Sequence, residues 1–341
     1  MAQQHLEPTD PTARAITGDA LAGYLRAQAT EFLRALRLHR ETGTAASAAE
    51  ASVDAARALR RSARRISGSL HTFRPLLEAD WSEEIRPELA WLSGTLGLEH
   101  AYEARLERLL LALHRLSGST ALPSQATSDG AAERGNLTVG AAKAGALLDR
   151  QLTLARTRAH STALQALGSS RFHAVADKVA VLASEVPLTA AAPTTDLRPP
   201  AAAAEERLTD AIAALPLVTA GHPYNAEALV HGLSPDPSPH PQDGPWHQVR
   251  LLLRLHRYAR EVLCGKGAPV DVRLLAAGQA LNRHRDASEA AAAAAAAART
   301  PRIAPATAYA LGVLHADQRH EVEAARFAFQ QAWQQQPLEA V

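Results

Sequence analysis

The sequence predicts an all-α protein, on the strength of three features. Hydrophobic residues make up 47% of the 341 residues, and much of that share is alanine. Alanine, leucine and arginine, which recur throughout the chain, are all good helix formers. Apolar residues repeat at the three- and four-residue spacing of an amphipathic helix, and no stretch shows the alternating pattern of a half-buried strand.

Prolines and polar clusters divide this helical pattern into elements. Residues 1–13, with Pro8 and Pro11, are predicted to be a disordered tail. The second helix is expected to end before Pro75, because proline disfavours helical backbone at the residue that precedes it. Residues 117–135 and 232–245 have the composition of loops. The predicted helices cover residues 16–39, 53–74, 81–97, 101–116, 139–167, 171–185, 205–215, 246–261, 270–298 and 306–335.

A stretch rich in proline, threonine and alanine separates the predicted helices into two groups. It covers residues 187–204 and is interpreted as a linker. The first group forms an N-terminal half-bundle over residues 14–186. The second forms a C-terminal half-bundle over residues 205–335.

The predicted helix over residues 246–261 carries a narrow cationic stripe. At 100° per residue, His247, Arg250, Arg254, Arg257 and Tyr258 fall within about 100° of the helix circumference. Val249, Leu252 and Leu253 fall on the opposite side. This helix is therefore expected to pack on a core through its apolar side and to present a row of guanidinium groups.

A second predicted helix, over residues 53–74, repeats this arrangement. Arg57, Arg60, Arg61, Arg64 and Arg65 share one side of it, and the opposite side is apolar. The spacing of positions 57, 60 and 64 equals that of 247, 250 and 254. Such a repeat predicts an internally duplicated fold in which two basic helices face one site.

Rows of arginine suit a ligand that carries successive phosphates. Guanidinium groups bind phosphate oxygens in pairs of hydrogen bonds and keep their charge at physiological pH. A single basic stripe is often only a solvated helix face. Two stripes in register, with few acidic residues between the arginines, favour an anion-binding site instead.

The motifs resemble those of the CHAD (conserved histidine α-helical) domain family. The best match is His247-Gln-Val-Arg250 followed by Arg254, Arg257 and Tyr258. In the first copy Arg57 stands at the position of the family's histidine, and the helix runs into the sequence LHTFRPLL. Weaker matches lie around Arg171, in LNRHRDA at residues 281–287 and near the C-terminus. The resemblance extends over roughly residues 14–335.

The resemblance implies two pseudo-symmetric helical bundles around a basic central channel. It also implies that the channel binds inorganic polyphosphate and that the chain is not an enzyme. Together the stripes and the resemblance predict these polyphosphate-binding residues: Arg57, Arg60, Arg64, Arg65, Arg171, His247, Arg250, Arg254, Arg257 and Tyr258.

Three other functions are left open: a nucleic-acid or nucleotide-phosphate binder, an enzyme that cleaves phosphoanhydrides, and a helical scaffold. The formal net charge of +1 and the 4% aromatic content disfavour nucleic acid as the partner. The 15 histidines are dispersed and contain no HExxH motif, so neither a metal site nor another cofactor is expected. The oligomeric state is left open.

The expected location is the cytoplasm, where polyphosphate granules would be the site of association. The N-terminus lacks the pattern of a signal peptide, and no stretch is long and apolar enough to span a membrane. A single cysteine, Cys264, excludes an intrachain disulfide and suits a reducing compartment.

Overall fold

The all-α prediction is confirmed by the computed structural model, which describes residues 16–42, 49–118, 128–222, 240–265 and 271–334. These ranges form α-helices, short turns and an isolated β-bridge, and they contain no β-strand. Within these ranges no helix is long and apolar enough to cross a membrane. The helices are α1 (Gly18–Thr42), α2 (Ala49–Thr72), α3 (Ala79–Leu116), α4 (Ser128–Leu167), α5 (Ser170–Ser184), α6 (Arg198–Ala213), α7 (Leu217–Ala220), α8 (Gly244–Cys264), α9 (Val272–Ala298) and α10 (Pro305–Gln334).

Helix α3 is longer than the sequence predicts. Two helices were expected, with a break at residues 97–100, but α3 continues without interruption through Gly97. A glycine in a helix interior costs about 1 kcal/mol relative to alanine. The buried residues Leu89, Leu92 and Leu96 lead up to this point and pack into the core, which outweighs that cost.

The stretch predicted as a linker, residues 187–204, carries structure of its own. Leu188 forms an antiparallel bridge with Leu77, and a 3-10 turn covers Ala192–Thr194. Helix α6 begins at Arg198, inside the predicted linker, with proline in its first turn as helix starts allow. The predicted tail, residues 1–13, lies outside the described ranges.

Among the described residues, three clusters of buried apolar side chains form the interior. The first joins α1, α2, α5 and the first half of α3 to Ala259 and Val262 of α8. The second joins α6, α7, α8 and α9 to Phe329 of α10. The third joins the second half of α3 and residues 141–152 of α4 to α9 and α10. Helices from both predicted half-bundles thus share the first and third clusters, and the internal duplication stays a prediction.

The apolar sides of the two basic helices face these clusters as expected. Leu59, Ile66 and Leu70 of α2 are each 0% exposed, and Val249 and Leu253 of α8 are 0% and 5% exposed. Burying side chains of this size stabilises the fold by roughly 1.5–3 kcal/mol each. The positions of the two basic rows are therefore fixed by the core beneath them.

A buried polar network fixes the start of α8. Asp243 is 0% exposed and accepts hydrogen bonds from Nη1 of Arg319 at 2.8 Å and Nη2 of Arg326 at 2.7 Å. Arg326 also donates to Glu323 at 2.7 Å, and its Nε donates to Nε2 of His284 at 3.3 Å. The network balances two arginines against two carboxylates, as a buried set of charges requires. It ties the residue before α8 to α9 and α10.

Lowering the pH from 7.5 to 5 is expected to reduce the free energy of unfolding by about 2 kcal/mol through His284. Burial lowers the pKa of this histidine to about 4. An unfolded histidine takes up a proton near pH 6.5, whereas His284 in the fold does so only near pH 4. The stabilisation is therefore complete above about pH 6.5 and is lost as the pH falls towards 4. Burial also lowers the pKa of His247 and His256, which changes stability in the same direction.

Urea unfolding of the wild type and of His284→Gln at several pH values checks this expectation. The variant should lose less stability than the wild type between pH 7.5 and 5, whatever its stability at pH 7.5. Equal losses in the two proteins would show that His284 does not titrate as its burial indicates.

Candidate anion-binding site

Helices α2 and α8 touch at Gly68 and Tyr258. A Cβ atom at position 68 would lie 2.6 Å from Cδ2 of Tyr258 and 3.3 Å from Cδ2 of Leu255. A real Cβ essentially never comes that close to a ring carbon, so glycine allows the aromatic ring to rest on the backbone of α2. Tyr258 is 5% exposed. This contact sets the separation between the two basic helices.

The two arginine rows line one cavity of about 320 Å³, here called the arginine cavity. Helix α9 forms its floor with Leu275, Gln279 and Asn282 among other residues, and Tyr258 contributes to the wall. Within the part of the chain that the structure describes, this lining contains no carboxylate. Its seven arginines are Arg57, Arg60, Arg61, Arg64, Arg250, Arg254 and Arg257.

Mutual repulsion and loss of hydration raise the energy of these cations. Burial, followed by the charges of Arg60 and Arg254, lowers the pKa of Arg64 to about 10. Burial, followed by Arg285 and Arg254, lowers the pKa of Arg250 to about 9. Both groups stay protonated at neutral pH. The cavity is therefore a concentration of positive charge that the described residues leave largely uncompensated.

Hydrogen bonds to neighbouring side chains satisfy only some of the guanidinium N–H donors in the arginine cavity. Nε of Arg250 donates to Oδ1 of Asn282 at 2.8 Å. The buried Nε atoms of Arg60 and Arg254 have no partner among the described residues. Since a buried donor without an acceptor is costly, the cavity has donors available to a ligand that brings acceptors.

Arg65, a predicted binding residue, lies outside the arginine cavity. Its Nε and Nη2 donate to the carboxylate of Glu261 at 2.7 and 3.2 Å. The hydroxyl of Tyr24 donates to the same carboxylate at 2.8 Å. Glu261 thus neutralises Arg65 and joins α1, α2 and α8, so the structure gives Arg65 a role in holding the basic helices together.

Arg171 is also separated from the cavity. Its Nε and Nη2 donate to Glu88 at 2.6 and 3.1 Å, and its guanidinium lies 4.1 Å from the ring centroid of Trp91. The hydrogen bond to Glu88 raises the pKa of Arg171. These contacts attach α5 to α3 and neutralise the arginine.

His247 lies one turn before the cavity, at the start of α8. Its ring is half-buried and makes an edge contact with His284 at a centroid distance of 5.5 Å. Burial lowers its pKa. The structure does not place His247 among the residues that line the arginine cavity.

Helix α9 contributes to the site in a way that the sequence did not predict. Asn282 lies on the cavity floor, and burial, with the charge of Arg285 added to it, lowers the pKa of Arg60, Arg250 and Arg254. Both residues fall in the LNRHRDA sequence, whose weak family resemblance was the available signal. Arg61 belongs to the predicted stripe of α2 and also lines the cavity.

The fold and the cavity define a helical protein with a cationic interior site, and comparisons with known proteins identify its family. The model of the CHAD domain matches residues 27–272, so the chain belongs to the CHAD domain family. Among solved structures it is similar to PptA from Streptomyces chartreusis, with 74% sequence identity and a TM-score of 0.79. That match covers 94% of this chain and 100% of PptA. No curated protein matches the chain.

Proposed function

We propose that this protein binds inorganic polyphosphate in the arginine cavity and does not cleave it. The observation that carries the proposal is the lining itself, which contains seven arginines from two helices and no carboxylate from the described residues. Two of the seven have carboxylate partners outside the lining: Arg57 lies 3.2 Å from Asp54 and Arg257 lies 3.7 Å from Glu261. A polyanion would supply the missing negative charge and the missing hydrogen-bond acceptors together. Charge-assisted pairs between guanidinium and phosphate are among the stronger hydrogen bonds in proteins.

The shape of the cationic surface favours a chain of phosphates over a single one. Arg250, Arg254 and Arg257 follow one another along α8 over about 10 Å. Arg57, Arg60 and Arg64 follow one another in the same way along α2, on the facing wall. A linear polymer with a charge on every unit can contact both rows at several points, whereas one phosphate reaches only a few of the arginines.

Nucleic acid suits this cavity less well than polyphosphate does. Proteins that bind single strands add exposed aromatic side chains on which bases stack. Tyr258 lines the cavity, but its ring is already packed against Gly68. The proposed ligand therefore has phosphates and no bases, and membership of the CHAD family supports the same choice.

The chemistry of the lining groups supports binding without cleavage. A guanidinium group donates hydrogen bonds and accepts none, and it remains protonated. Such groups can hold and orient phosphates but cannot take a proton from an attacking water. We therefore assign the cavity to binding.

Isothermal titration with long-chain polyphosphate tests the proposal. We expect binding at low salt and an affinity that falls about a thousandfold between 50 and 200 mM salt, as counterions compete for several contacts. Monophosphate should bind far more weakly. An absence of binding by the folded protein at low salt would refute the function, and release of phosphate in the presence of Mg²⁺ would refute the non-catalytic part.

A further inference from the structure

Helix α8 carries a carboxylate on the same side as its arginines. At 100° per residue, Glu261 falls within about 20° of Arg250 and Arg254, and it lies one turn beyond Arg257. The predicted stripe ends at Tyr258, and Glu261 continues it with the opposite charge. The cationic row of α8 therefore ends in an acidic residue.

Two side chains from other helices hold the carboxylate of Glu261 in place. Arg65 of α2 donates to it through Nε and Nη2 at 2.7 and 3.2 Å, and the hydroxyl of Tyr24 of α1 donates at 2.8 Å. Only 27% of the Glu261 side chain is exposed. Burial raises the pKa of Glu261, but its hydrogen bonds and the charges of Arg65 and Arg257 outweigh burial and lower the pKa. The carboxylate is therefore ionised at neutral pH and fixed in position.

Glu261 lies where the arginine cavity meets a second cavity. Its Oε1 is 3.7 Å from Nε of Arg257, which lines the arginine cavity. Glu261 itself lines a neighbouring cavity of about 850 Å³ between α1, α2 and the end of α8, here called the side cavity. Arg61 lines both cavities. The carboxylate thus stands beside the boundary between the two.

Charge, and not lack of space, opposes the passage of a phosphate chain at this boundary. The side cavity is larger than the arginine cavity, and Arg61 and Arg65 contribute cations to its lining. A chain that follows the arginines of α8 would meet the carboxylate of Glu261 directly after Arg257. Like charges about 4 Å apart repel each other several times more strongly at a partly buried site than in bulk water. The last turn of a helix adds the negative end of the helix dipole.

We propose that Glu261 is an electrostatic stop, which ends the phosphate-binding row of α8 and keeps the polyphosphate chain out of the side cavity. This role rests on the proposed function and assigns to one residue the limit of the surface that the ligand uses. Glu261 acts in two ways, because it repels phosphate and also holds Arg65 and Arg257 in ion pairs. Removal of its charge should therefore increase the affinity for long phosphate chains.

Calorimetric titration of Glu261→Gln with long-chain polyphosphate and with tripolyphosphate tests this role. Glutamine has nearly the same shape and can still accept a hydrogen bond from Arg65, but it carries no charge. The affinity for the long chain should rise about tenfold, and its dependence on salt should steepen by about one counterion for each arginine that is freed. Tripolyphosphate fits within the arginine cavity, so its affinity should change by less than about threefold, because salt screens the effect of a distant charge.

Glu88→Gln is the matched control. The side chain of Glu88 is also 27% exposed, and it pairs with Nε and Nη2 of Arg171 as Glu261 does with those of Arg65. Neither Glu88 nor Arg171 lines the arginine cavity or the side cavity. The control changes the net charge by the same amount, and its affinity for both ligands should stay within about twofold of the wild type.

A second variant, Glu261→Gln/Arg65→Gln, decides the outcome should the single variant fail to fold. Removing one partner of a partly buried ion pair destabilises a fold because the other charge is left without compensation. The double variant removes both partners and keeps the net charge of the wild type. It should still bind the long chain about threefold more tightly than the wild type, because Arg257 is freed.

Three results would overturn the inference. If the folded Glu261 variants bound long chains no more tightly than Glu88→Gln, Glu261 would not limit binding, while the proposed function of the arginine cavity would stand. An equal gain with tripolyphosphate and with the long chain would show that Glu261 acts on the arginine cavity itself and is not a stop. Failure of the wild type to bind either ligand would remove the proposed function and this inference with it.

Discussion

Replacing Arg250 and Arg254 together by glutamate is expected to abolish polyphosphate binding. Each arginine contributes hydrogen bonds between charged groups, worth roughly 1.5–3 kcal/mol apiece. Loss of two such contacts corresponds to at least about a hundredfold weaker binding. The two new carboxylates would also repel the phosphate chain and form ion pairs with arginines of α2. Titration calorimetry should therefore detect no binding of polyphosphate to the double variant.

The control for this experiment is Arg34→Glu/Arg156→Glu. It changes the net charge by the same amount at exposed positions, where Arg34 pairs with Glu31 and Arg156 with Glu103. Neither arginine lines the arginine cavity. The control should keep nearly the wild-type affinity. An equal loss of affinity in both double variants would mean that polyphosphate binding depends on the overall charge of the protein and that the cavity is not the binding site.

Arg254→Met is expected to stabilise the unbound protein by about 1 kcal/mol, although it removes a binding residue. Burial is the largest cause that lowers the pKa of Arg254; Tyr258 opposes it, and the charges of Arg285 and Arg257 lower the pKa further. Its buried Nε has no partner among the described residues. Methionine keeps the apolar stem and removes the repelled charge.

Polyphosphate should reverse the order of stability of the wild type and Arg254→Met. At a ligand concentration about 100 times Kd, the wild type gains about 2.7 kcal/mol in free energy of unfolding, and a variant that binds weakly gains much less. Urea unfolding with and without polyphosphate measures both effects. Arg34→Met, at an exposed position, should change stability by no more than about 0.5 kcal/mol. If Arg254→Met were less stable than the wild type without ligand, burial of Arg254 and its repulsion by neighbouring arginines would not destabilise the unbound protein.

The periodicity of the sequence predicted the elements that matter for the site. Apolar residues such as Leu59 and Val249 had to face the core, and this placed Arg60 and Arg250 on the opposite sides of their helices. That conclusion needs only the 3.6-residue repeat of a helix, so it can be drawn from a short stretch of chain. The continuous course of α3 through Gly97 was missed, because tertiary packing overrides the local cost of a glycine.

Local sequence could not reveal which arginines remain without a carboxylate. Arg65 lies on the same stripe as Arg64, yet Glu261 of another helix neutralises Arg65 and leaves Arg64 in the cavity. Glu88 does the same for Arg171. The floor of the site, with Asn282, comes from a third helix.

The sequence by itself determined that the chain is helical and that two of its helices bear rows of guanidinium groups, since both properties follow from the spacing of neighbouring residues. Only the tertiary structure decided that the rows face each other across one cavity and that some of their members are already paired. Electrostatic energy depends on distance in space and on burial, and helices far apart in the chain set both quantities.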